Sequence, residues 1–341
     1  MHAVQPLDLQ SPPTAASPTP LGTPQTPPAQ GSAPAEDPAA VDRSLYLLGR
    51  PRLKDFLRFV RRHALEPDHE DRLIGEWEEG KARLAALEKK EAGSADHPRI
   101  RRIEPDATFE PLLIEFLKDP VVRDSFNAVP SEVAWVKLDD LVIHQLHIDL
   151  THVAKLQRRI GPAPSVQALF RLCLPYDHPL PPAKWSRLDN DSYVFVSASN
   201  DLRFLGATPL KPQHVQGYAH PATLVGVVGL AVGFGSNFLN AIHVENRLIL
   251  NNGSHRAYAL RALGITDVPC LVQHVPTRDE LEVVGGPAEL RSEPDRLIRA
   301  PRPPMFKDYF DPELRKVFAC QRLHRQIRVQ FSVLEQYVPA L

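Results

Sequence analysis

The chain is short of cysteine, methionine and tryptophan, with three, two and three residues in 341. Cys173, Cys270 and Cys320 lie far apart, so they offer neither a zinc-ligand spacing nor a disulfide framework, and a reducing, cytoplasmic setting is expected. Cys270 falls inside an apolar run and reads as core. Charge of one sign is also missing. Forty basic residues face 41 acidic ones, for a formal net charge of −1. That balance excludes a global basic field holding the protein on nucleic acid. Long apolar runs are absent as well. The Gly-rich stretch Thr223 to Gly235 is too short to cross a bilayer, so no membrane partner is expected. It carries no Gly-x-Gly-x-x-Gly order and no following lysine, so it reads as close-packed backbone or a mobile flap.

Proline is plentiful, at 35 residues, and its distribution divides the chain. Residues 1–40 combine Pro with Ala, Ser, Thr and Gln, hold no aromatic residue and few charges, and read as a disordered tail. They contain no basic start followed by an apolar core, so no export signal is expected. The remainder is 41–130, a helical region; 131–286, a mixed α+β domain; and 287–341, a Pro-rich linker with a C-terminal helical segment.

Within the helical region, Leu53, Phe56, Leu57, Val60 and Ala64 recur at helical spacing, and a second helix carries Leu73, Ile74, Trp77, Leu84 and Leu87. Arg58, Arg61 and Arg62 read as a solvated basic face. A further helix over Phe109 to Leu117 stops at Asp119-Pro120. Glu132 to Ile143 begins as an alternating strand. Residues 161–235 read as an insertion in which Tyr193–Ser197 and Asp201–Leu205 form a hairpin. Phe238–Val244 alternates and pairs with Arg247–Leu250 through Glu245-Asn246. In the last segment Arg315, Arg322, Arg325 and Arg328 sit among Phe318, Leu323, Ile327 and Phe331, a spacing that predicts a helix with an apolar stripe and outward arginines. A solvated face or a nucleic-acid or partner surface both suit those arginines.

The stretch from Arg247 to Gly264 carries the chemistry. A short strand leads into Asn251-Asn252-Gly253, then a helix opens with Ser254, His255 and Arg256 and ends at Gly264. The leading amides of a helix lack internal partners and its dipole makes that end electropositive, so an anion suits it. Gly253 permits close approach of a ligand, Ser254 adds a hydroxyl and Arg256 a donor fork matched to phosphate. An ordinary turn with an N-cap, and a solvated Arg256, account for the same residues.

Asn252-Gly253-Ser254-His255-Arg256, with Ala257, Ala259, Leu260, Leu263-Gly264-Ile265 and Val268-Pro269 after it, resembles the phosphate-binding segment of the ParB/sulfiredoxin-like superfamily. The continuation Leu271 to Gly285, a strand leading into a short final helix, is similar to the sulfiredoxin tail. The Val-x-Leu-x-x-Leu pattern at Val136 to Leu141 resembles the first strand of ParB-like domains. The resemblance implies a mixed-sheet ParB/sulfiredoxin-like domain with a large insertion. It implies a nucleoside triphosphate, ATP or CTP, held with Mg2+ at Asn252, Gly253, Ser254, His255 and Arg256. It implies nucleotide hydrolysis or phosphoryl transfer to a small-molecule acceptor, with Asp149 as general base or magnesium ligand and His255 orienting or donating a proton. Ser254 stands where sulfiredoxins carry cysteine, so thiol-based sulfinic acid reduction is not expected. A ParB-like partition factor on DNA is a second reading, but no helix-turn-helix follows the turn. A non-catalytic binder of a phosphorylated metabolite is a third. His144, His147, Asp149 and His152 contain metal-ligand types, yet their spacing fits no ligand pattern, so no metal centre is expected.

Overall fold

In the computed structural model the described residues are 41–177, 180–199, 201–211, 225–281, 284, 286, 290, 292–322 and 324–338. The tail of residues 1–40 and the polar stretch 212–220 lie outside them. The architecture is α+β. β1 (Asp42–Leu47), α1 (Leu53–His63) and α2 (Glu70–Glu91) come first, followed by β2 (Ile100–Arg102), α3 (Glu110–Lys118) and α4 (Pro120–Ser125). Next come β3 (Ser131–Lys137), β4 (His147–Asp149), α5 (Leu150–Ile160) and α6 (Val166–Cys173). Four strands follow: β5 (Ala183–Asp189), β6 (Ser192–Ser197), β7 (Leu202–Leu210) and β8 (Val227–Phe234). The unit β9 (Asn240–Val244), β10 (Arg247–Asn252), α7 (Ser254–Ala262), β11 (Asp267–Val275) carries the candidate turn. The chain closes with α8 (Pro294–Ile298), β12 (Arg315–Cys320) and β13 (Arg325–Gln330).

The central sheet runs β10-β9-β11-β3-β2. β9 and β10 form the hairpin expected from the sequence, with Val244 opposite Arg247 and Glu245 at φ 52 in the two-residue turn. β11 returns parallel to β9 through α7, and β3 lies antiparallel to β11. Residues 141–143 extend the sheet beyond β10, since Val142 N donates to Leu248 O at 2.9 Å and Val142 O accepts from Leu250 N at 2.8 Å. Both faces are covered. Leu248, Leu250, Ala241, Cys270 and Val272 join α3, α6 and α7 in one core, while Ile242, Ile249 and Val142 meet Leu297, Ile298 and Met305 in another. Burial on both faces explains why β10 reads as a continuous apolar run instead of an alternating one.

Three expectations are corrected. First, the arginine-rich C-terminal segment is not a helix. β12 pairs with β1 and β13 pairs with β6, so the expected helix is absent there among the described residues. β-Branched Val317, Ile327 and Val329 alternate as well as they recur at helical spacing, and open strand edges at β1 and β6 decide between the two periods. Second, Tyr193–Ser197 and Asp201–Leu205 do not pair with each other. β6 pairs with β5 through the tight Asn190-Asp191 turn, and β7 pairs with β8, which draws most of the Gly-rich stretch into a strand. Third, the region 41–130 is not purely helical, because β1 inserts between β12 and β4 and β2 edges the central sheet. That pairing joins segments expected to be separate, and the described residues form one compact unit.

Candidate functional site

The turn is built from the sheet end outward. Asn251 Nδ2 donates to Asn240 Oδ1 at 2.7 Å, and Asn240 Nδ2 donates to Leu271 O and Gln273 Oε1, both at 3.1 Å. This buried amide ladder ties β10, β9 and β11 together where the chain leaves the sheet. Asn252 Oδ1 accepts from Gly253 N at 2.8 Å while its Nδ2 donates to Ser236 O at 2.6 Å. Gly253 then takes φ 96, a left-handed conformation open to glycine, and α7 begins. At the other end Gly264, at φ 85, stops the helix where the sequence pattern placed its end.

Asp149 and the turn meet in one corner. Asp149 caps α5, its Oδ1 accepting from His152 N at 3.0 Å, and its own amide donates to His255 Nε2 at 3.0 Å. That bond fixes the tautomer: with Nε2 accepting, the neutral ring carries its proton on Nδ1. Burial, then the charges of His152 and His147, pushes the His255 pKa down to about 3, so the ring is neutral at physiological pH. His152 stands edge-on to it at 5.5 Å between centroids. Its pKa is lowered by burial first, with Lys155, Arg256 and Arg159 adding to the effect against Asp149.

Arg256 has a different place from the one expected. It is buried, at 8% exposure, and its Nη1 donates to Cys173 O and Asn237 O at 3.1 Å each, while Nη2 donates to Asn237 Oδ1. The guanidinium therefore clamps the end of α6 and the approach to β9 beneath the turn. Nor does Gly253 open onto free space: a Cβ there would come within 2.8 Å of Leu239 Cδ1. What stays unengaged among the described residues is the set of leading amides of Ser254, His255 and Arg256, the Ser254 hydroxyl and His255 Nδ1–H. Every member of that set donates or can donate, which suits an anion and not a cation. Among the described residues no group of three or more His, Cys, Asp or Glu side chains is placed to hold a metal ion.

No family model, no curated protein and no solved structure matches this chain. Among the described residues no helix is long and apolar enough to cross a membrane.

The polar groups that hold the corner were not among the candidates picked out in the sequence. Asn240 and Gln273 are each 1% exposed within strands otherwise filled by apolar residues, and a polar residue at such a position was the available signal. Arg247 was overlooked in the same way. It donates to Asp96 Oδ1 at 2.9 Å and to the carbonyls of Leu297 and Ala300.

Proposed function

We propose that the protein is a non-catalytic binder of a phosphorylated ligand, a nucleotide such as ATP or CTP on the resemblance to ParB/sulfiredoxin-like proteins. The observation that carries this reading is the unengaged donor set at the start of α7, next to a histidine whose tautomer leaves Nδ1–H available. A neutral imidazole donor and helix amides hold phosphate oxygens without needing a counter-charge to be moved in. Binding is favoured over turnover because the groups expected to act chemically are engaged elsewhere. The Asp149 carboxylate caps α5, His255 Nε2 accepts the Asp149 amide, and Arg256 holds backbone carbonyls. The donor set does not fit Mg2+, so no step is assigned to a metal.

Calorimetric titration with inorganic phosphate, ATP, CTP and GTP, run beside a phosphate-release assay, tests the reading. Binding lost in Ser254→Glu, whose carboxylate occupies the anion position, with no release above the blank, is the expected result. Phosphate release that disappears in Asp149→Asn would restore the phosphotransferase or hydrolase reading, and no binding by any of the four would remove both.

A further inference from the structure

The arginine-rich C-terminal segment acquires a setting once it is a strand. β13 pairs with β6, and β6 with β5, in a three-stranded antiparallel sheet. The register places Trp185, Phe195 and Ile327 in one row and Arg187, Tyr193 and Val329 in the next, with Arg325 opposite Ser197 at the end of the same face. Every residue of β5 is exposed, and Trp185 is 64% exposed, an unusual position for so large an aromatic group. Its ring stacks on Phe195 at 6.4 Å between centroids and 26° between planes.

We propose that this face binds single-stranded nucleic acid. Two aromatic rings stacked on an open sheet, with Tyr193 beside them, form a platform for unpaired bases, because every base offers a π face whatever its sequence. The charges fit the same occupant. Arg187 is held over the β5–β6 turn by the carbonyls of Asp189 and Asn190, and Arg325 by Leu202 O, and among the described residues neither has a carboxylate partner. Among the described residues both charges stand without an ion pair at the edges of the aromatic row, where a phosphate backbone would run. A duplex, with its bases stacked inside, offers the rings nothing. The near-zero net charge of the whole chain is compatible with this local patch, since binding needs only the charges that line the strand.

The test uses the full chain with fluorescein-labelled oligo-dT, oligo-rU and a duplex of equal length, followed by anisotropy at low salt. The expected result is binding of the single strands in preference to the duplex. Trp185→Ala should weaken it about ten-fold while Trp185→Phe recovers most of the loss. Arg187→Gln with Arg325→Gln should flatten the dependence of log K on log salt by about 1.4, the share of two phosphate contacts on a single strand. Trp185 is exposed, so Trp185→Ala should keep the wild-type melting profile. No binding, equal binding of the duplex, or wild-type affinity in Trp185→Ala would overturn the proposal. So would sedimentation showing that Trp185→Ala converts a dimer into a monomer, which would make the face a contact between copies.

Discussion

Gly253→Ala asks whether the chain holds the turn against Leu239. At φ 96 an alanine costs about 1–2 kcal/mol in backbone energy. Its Cβ would also stand 2.8 Å from Leu239 Cδ1 and 3.3 Å from Leu239 Cα, and Leu239 is fully buried, a setting where overpacking costs about 1–3 kcal/mol. The sum is about 2–5 kcal/mol, or a fall in Tm of roughly 3–8 °C for a folded unit of this size. Gly264→Ala supplies the control. It has φ 85 but nothing within 4 Å of its Cβ, so it should lose only the backbone share, about 1–2 kcal/mol. Urea unfolding of both variants, followed by far-UV circular dichroism, gives the difference, which isolates the contact with Leu239. Equal losses in the two variants would refute the packing of Leu239 against the turn, and no loss in either would refute the left-handed conformation itself.

Arg256→Met should destabilise the chain by about 1–3 kcal/mol in urea titration, because Asn237 O loses its buried donor while Cys173 O keeps only Leu239 N; retention of stability would return Arg256 to a ligand role. Stability should fall with acid. The His255 pKa drops from 6.5 to about 3 on folding, so the unfolded chain binds a proton that the folded chain refuses. The stability is complete above pH 6.5 and declines by about 1.4 kcal/mol per pH unit as pH falls from there toward 3. Urea midpoints at a series of pH values measure the slope, and His255→Gln should reduce it. Asp308→Ala should cost about 3–5 kcal/mol, since Asp308 is 1% exposed and pairs with both Arg302 and Arg50; a loss that added salt reverses would place the pair at the surface.

Much of the fold around the turn could be read in the sequence, because there local signals and tertiary pairing agree. The β9–β10 hairpin follows from alternation on either side of Glu245-Asn246, and α7 is bounded by glycines that both adopt positive φ. α1 and α2 follow from their apolar spacing. The strands β1, β12 and β13 could not be read in the same way. Their residues suit a strand or a helix, and only partners distant in sequence settle which. The corner itself was half legible. Gly253, Ser254, His255 and Asp149 do meet, but nothing local shows that Arg256 turns inward to two carbonyls, because the carbonyls belong to α6 and to the strand entry at Asn237.

The placement of β1 has a consequence for biosynthesis. Asp42 pairs with Cys320 on one side, and Ser44 with Asp149 on the other, so β1 must wait for a partner made much later in the chain. While the ribosome is still working, that strand has an open flank. The small sheet closes only after residue 320 has emerged, and because Phe318 and Cys320 share one apolar cluster with Phe56, Val60 and Leu73, the packing of α1 and α2 is completed late as well.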